Sequence, residues 1–186
     1  GCSDYLDVIP DNVPTINHAF SNRTEAERFL FGCYSFFPHH SNYNSNPALT
    51  AGDEVWLIDY IIELGEPLLW KIAKGEQGTN SPLANYWSSG HDGVSANGGT
   101  RMFTGLRDCN IFLENIHKPF DILEHERRQW SAEVKFIKAY LHFWLLRMYG
   151  PIPLVKENFD INASPSKIQI YRESVDDVVE YIVELL

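Results

Sequence analysis

Ala132-Glu-Val-Lys-Phe-Ile-Lys-Ala-Tyr-Leu-His-Phe-Trp-Leu-Leu-Arg-Met-Tyr-Gly-Pro-Ile-Pro-Leu-Val155 holds the densest pattern in this chain. Together with Trp130 just upstream, Val134, Ile137, Leu141, Trp144, Leu145 and Met148 recur every three or four residues and line one side of a helix. Phe136, Tyr140 and Phe143 fall on the other side. A helix that is apolar on two sides predicts a central position, with neighbours on more than one flank. Gly150 followed by Pro151 supplies the stop, since glycine tolerates the backbone turn past a helix end and proline cannot continue it. Ile152 to Val155 then reads as a short extended piece. Upstream, Asp121-Ile-Leu-Glu124 has the spacing of a capping box that would open the same helix.

The flanking segments repeat this logic. Met102, Leu106, Cys109, Leu113 and Ile116 form a stripe ended by Pro119. Thr24-Glu-Ala-Glu27 is a second capping box, followed by Ala26, Phe29, Leu30, Cys33, Phe36 and Phe37, which predicts a helix over 25–37 stopped at Pro38. Ser174-Val-Asp-Asp177 caps a last helix with Val178, Val179, Ile182 and Leu185 or Leu186 on its face. Residues 1–22 carry Pro10 and Pro14 with little periodicity and are expected to form an extended lead-in, with 23–186 as one helical domain. Within it, 38–100 is punctuated by Pro47, Gly52, Gly65, Gly75, Gly78, Pro82 and Gly98-Gly99, a loop-rich insertion with short helices expected near 53–63 and 83–88. The expected fold class is all-α with one long irregular insertion. The final residues, Val183 to Leu186, lie inside an apolar periodic run, which suggests the front part of something larger.

Composition narrows the function. In 186 residues, 15 Lys and Arg face 25 Asp and Glu, a formal charge of −10. Such a balance opposes binding to nucleic acid, which needs cations to displace phosphate counterions, and opposes polybasic adsorption to anionic lipid. No apolar run approaches the roughly 18 residues of a membrane-spanning helix. Catalytic patterns are equally thin. Glu25/Glu27 and Asp176/Asp177 sit at helix starts, where they complement the dipole. Asp53/Glu54 is the remaining acidic pair; His39-His40 lacks a third ligand; His125-Glu-Arg-Arg-Gln129 has Gln where a zinc-protease helix needs His. No enzyme activity, metal or cofactor is expected.

Three cysteines are present. Cys33 and Cys109 fall on apolar stripes and read as small buried hydrophobes, with a disulfide between them left open. Cys2 follows Gly1 and precedes a polar stretch, the residue pattern of a bacterial lipoprotein processed at its cysteine. Aromatic residues are abundant, with 11 Phe, 9 Tyr and 5 Trp. Most sit on helical stripes, and Phe29, Phe36, Phe143 and Trp144 are expected in the core. The rings of the loop-rich insertion differ. Tyr43, Tyr86, Trp87 and Trp70 lie there, beside amides such as Asn85. A flat apolar ring beside amide donors and acceptors suits a sugar, with its C–H faces and hydroxyl rim. Trp87, Tyr86, Asn85, Trp70 and Tyr43 are therefore the candidate carbohydrate contacts; the competing expectation is that Tyr86 and Trp87 pin the loop to the helices.

These segments together resemble the N-terminal part of SusD-like (RagB/SusD) surface glycan-binding lipoproteins. Arg107-Asp-Cys-Asn-Ile-Phe-Leu-Glu-Asn-Ile116 is similar to the family's R-x-x-N-x-x-L-x-x-I helix. The stretch from Ala132 to Val155 resembles its A-E-x-x-F-x-R-A…Y-G-x-V-P-L-V signature, with Lys138 for the usual Arg and Ile152 for Val. Cys2-Ser-Asp-Tyr-Leu-Asp7 resembles the lipoprotein start, and Tyr171-Arg-Glu-Ser-Val-Asp-Asp-Val178 the approach to a later helix. The resemblance implies tetratricopeptide-like helix pairs supporting an irregular ligand-binding portion. It also implies outward-facing outer-membrane anchorage by lipid on Cys2, a SusC-like TonB-dependent transporter as partner, and oligosaccharide capture without bond cleavage. A helical-repeat docking protein without its own ligand, or a glycoside hydrolase, are the alternatives.

Overall fold

A computed structural model of the chain describes residues 16–38, 40–41, 46–52, 55–56, 58, 63, 65, 70–76, 78, 86–87, 101–160, 163–164 and 168–186. Among them the regular structure is helical, with no strand. The helices are α1 (Ile16–Ala19), α2 (Arg23–Tyr34), α3 (Pro47–Thr50), α4 (Trp70–Ala73), α5 (Met102–Asn115), α6 (Glu124–Tyr149) and α7 (Val175–Leu185). The all-α expectation holds, and all four long periodic stripes become helices. Most of the short helices expected near 53–63 and 83–88 lies outside the described residues, as do Cys2, Tyr43 and Asn85. A helical turn, α1, occupies part of the expected extended lead-in.

Two helix starts differ from the sequence reading. Asn22, extended at φ −154°, caps α2 by accepting from the Glu25 amide at 3.1 Å. Thr24 is already inside the helix, and Glu27 turns to Arg23 at 3.3 Å. At α6 the reaching carboxylate is Glu126, which accepts from the Leu123 amide at 3.2 Å. Asp121 is instead drawn to the Arg23 amide at 2.7 Å, tying the start of α2 to the turn before α6. The other signals hold. Gly150, at φ 70°, ends α6 with its amide on the Leu146 carbonyl, and Ser174 caps α7 by accepting from the Asp177 amide at 3.1 Å.

Side-chain partners fix the directions of the helices. Along α2, Arg23 pairs with Glu126 at 2.7 Å, Tyr34 donates to Glu133 at 3.0 Å, and Phe37 just beyond meets Tyr140, so α2 runs parallel to α6. Phe29 meets Phe112 while Phe36 reaches Gly105, so α2 runs antiparallel to α5. Tyr181 packs on His142 while Glu184 to Leu186 lie beside Arg128 to Lys135, which makes α7 antiparallel to α6. Successive neighbours α5/α6 and α6/α7 are thus antiparallel pairs with α6 shared.

The core sits where α2, α5 and α6 converge. Leu30, Cys33, Leu106, Cys109, Phe112, Val134, Ile137, Leu141 and Leu145 are buried there. Gly105 makes the convergence possible. A Cβ at that position would stand 2.8 Å from both Leu141 Cδ1 and Phe36 Cγ, closer than packed carbon atoms tolerate.

Candidate functional site

Three groups of rings surround this frame. The first belongs to the loop-rich insertion. Tyr86 is buried, its ring on Trp144 at 5.6 Å and its amide donating to the Tyr149 hydroxyl at 2.8 Å. Burial pushes its phenol well above the usual range. Tyr86 therefore pins the insertion to α6. Trp87 beside it is half-buried, edge-on to Phe103 at 5.2 Å and Tyr149 at 5.3 Å, with the Arg172 guanidinium 4.7 Å from its ring centre.

The second group is a pair of indoles. Trp70 opens α4 and is only 2% exposed, whereas Trp56 is 78% exposed and meets it edge to face at 4.8 Å. Trp70 thus supports a ring instead of presenting one. Trp56 is the open indole that sequence reasoning passed over, although it lies outside any helical stripe, as Trp87 does.

The third group lies on the outer flank of α6. Phe143, expected in the core, is 43% exposed, and Phe136 on the same side of the helix is 50% exposed. The described neighbours α2, α5 and α7 mainly cover other flanks of α6; among the described residues the rings of Phe37 and His40 pack on this one, and the end of α7 lies beside Phe136. Tyr140 sits between them, 5.0 Å from Phe37, with its hydroxyl 2.7 Å from His40 Nε2. Arg147 closes the row, 5.5 Å from the ring centres of both Phe143 and Trp144. Trp144 joins this flank to the insertion, because it touches His40 as well as Tyr86.

Opposite this flank, α6 carries a buried polar cluster. The Val155 amide donates to His142 Nε2 at 3.3 Å, which leaves Nδ1 as the donor to the Lys138 carbonyl at 2.8 Å. Burial holds this imidazole neutral, its pKa pulled down to about 4. Lys138 Nζ donates to the Lys156 carbonyl at 2.7 Å and lies 5.6 Å from the Tyr181 ring centre; burial lowers it to about 8. Lys156 approaches the same ring at 5.1 Å, and burial raises the Tyr181 phenol to about 12. These contacts hold α7 in place against α6.

Among the described residues no three potential metal ligands converge, and no helix is long and apolar enough to cross a membrane. Asp53, Glu54 and His39 lie outside them. The described residues form a helical frame that carries exposed rings, among them Trp56, Phe136 and Phe143.

Comparison with known proteins gives the class its family. A family model described as SusD-like, starch-binding associating with outer membrane, matches residues 65–186, and the chain belongs to this family. A crystal structure of a SusD-like protein from Bacteroides fragilis superposes over 93% of the chain with a TM-score of 0.68 at 18% identity. A SusD superfamily protein from Bacteroides thetaiotaomicron does so over 89%, with a TM-score of 0.56 at 18% identity. The chain spans 31% and 34% of the length of those two proteins, so this likeness concerns fold. No curated protein matches.

Proposed function

We propose that this chain is part of a cell-surface protein that captures a glycan and passes it, uncleaved, to a SusC-like TonB-dependent transporter of the outer membrane. In this reading a lipid on Cys2 holds the protein at the surface. Membership in a family described as starch-binding and associated with the outer membrane supports the class. The observation that carries the binding role is Trp56, an indole 78% exposed yet held from beneath by buried Trp70. A rigidly backed, open apolar ring stacks on the C–H face of a sugar with little ordering cost. Trp87 adds a smaller ring edge, Tyr86 and Trp70 hold those rings in place, and Asn85 and Tyr43 supply polar contacts from the same insertion. The net charge of −10 suits a neutral or cationic ligand better than an anionic one.

The test is isothermal titration of the full-length protein against a panel of soluble polysaccharides, with chromatography of the ligand afterwards. Binding to at least one glycan, unchanged in length, is the expected result. Trp56→Ala should weaken it about tenfold, the scale of one aromatic contact of roughly 1.5 kcal/mol. Shortened products would sink the binding-only reading. A second reading, docking without a ligand of its own, draws on the half-exposed Phe136 and Phe143; it gains if no glycan binds.

A further inference from the structure

Cys33 and Cys109 take no part in the ring surfaces, yet they face each other. Both are free, fully buried thiols of the core cluster, one on α2 and one on α5, near enough for Cys109 to act on the protonation of Cys33. The layers on either side explain their closeness. One turn before Cys109, Gly105 lets Phe36 lie against bare backbone, where a Cβ would come within 2.8 Å of the ring. About one turn after it, Phe112 stacks with Phe20 at 5.8 Å and Phe29 at 6.3 Å. The antiparallel crossing of α2 and α5 is therefore clamped above and below the sulfur layer.

We propose that Cys33 and Cys109 are an oxidisable pair that closes to a disulfide while the chain folds, cross-linking α2 to α5 beneath the rings of the binding scaffold. The co-reactant is a small or protein disulfide, such as oxidised glutathione. A thiolate of one cysteine attacks it and releases one thiol; the second cysteine then attacks the mixed disulfide and releases the other. Two S–H bonds and the donor's S–S bond break. One Sγ–Sγ bond forms, and both electrons and both protons end on the two released thiols. The step belongs to folding because the finished core shields both sulfurs from any oxidant. The neighbouring Cys109 side chain and burial also keep the Cys33 thiol protonated, its pKa held well above the usual thiol range, which slows its own attack.

The test uses the full chain carrying Cys2→Ser, which leaves these two cysteines alone. After refolding from denaturant in a glutathione redox buffer, the protein is unfolded again, alkylated and weighed. The expected product is folded by circular dichroism, takes up no alkylating agent, and melts about 10 °C above the same protein refolded in reductant, because the bond spans a long loop. The reduced, already folded protein placed in the same buffer should oxidise at least about tenfold more slowly. A folded product with two alkylatable thiols overturns the pairing, as does an oxidised product that melts no higher than the reduced one. Oxidation of the folded protein as fast as the unfolded chain overturns its assignment to folding. None of these readouts depends on glycan binding, so the two proposals fail separately.

Discussion

Residues 101–186 and the 38–100 insertion are held by different kinds of contact. In the first, whole stripes of side chains close on one another, from Leu106 against the core of α6 to Tyr181 over His142. In the second, the described residues reach the frame through single rings: Tyr86 on Trp144, His40 on Tyr140, Trp87 on Tyr149. A stripe spends every apolar residue on the fold. A ring anchor leaves its neighbours free for something else, which is why the one wide-open indole, Trp56, stands in the insertion. Among the described residues, those that close the fold and the rings left open are therefore largely different ones.

The sharpest way to break that contrast is at Trp144, which serves both regions. Trp144→Ala should cost about 4 kcal/mol in urea unfolding, the usual scale for a buried indole, and should release the Tyr86 anchor at the same time. Next comes acid. His142 is buried neutral with its pKa at about 4, whereas the unfolded chain titrates near 6.5. As pH falls through this window the unfolded state takes up a proton that the folded state refuses. Stability should be complete above pH 6.5 and drop by about 3 kcal/mol on reaching pH 4. His142→Gln should flatten that part of the profile. Gly105→Ala should cost about 2 kcal/mol, from a methyl forced against Leu141 and Phe36, read as a lowered midpoint at unchanged slope. The smallest effect is the most informative. Trp56→Ala should change stability by less than about 0.5 kcal/mol, as surface substitutions do, while weakening glycan binding. If Trp56→Ala instead destabilises the protein strongly, the ring is an anchor and the contrast collapses.

The frame was largely legible in the sequence because burial over several turns writes itself as periodicity. Met102 to Ile116 and Trp130 to Met148 became helices for that reason, and Gly150 and Ser174 marked their ends because those positions need a particular backbone or side-chain oxygen. Asn22 was missed in favour of Thr24, since two capping residues stood close together and only the extended backbone at Asn22 selects between them. Phe136 and Phe143 show the limit of a stripe. Periodicity shows that a flank is apolar, and other segments decide whether it is covered. The site was less legible still. Trp56, Trp70 and Trp87 sit in similar loop sequence, and which of them is open depends on contacts with partners far along the chain, such as Arg172 over Trp87.

Lys138 gives the central helix an unusual kind of fastening. Among the described residues its ammonium has no carboxylate at ion-pair distance; a carbonyl oxygen and the face of Tyr181 hold it. On another side of α6, Arg23 and Glu126 form an ordinary ion pair, partly open to water. Dissolved ions screen exposed charges within a Debye length of about 8 Å at physiological ionic strength, whereas a cation sealed against fixed dipoles barely feels them. Moving from fresh to saline water thus loosens the seam between α2 and α6 and leaves the one between α6 and α7 as tight as before.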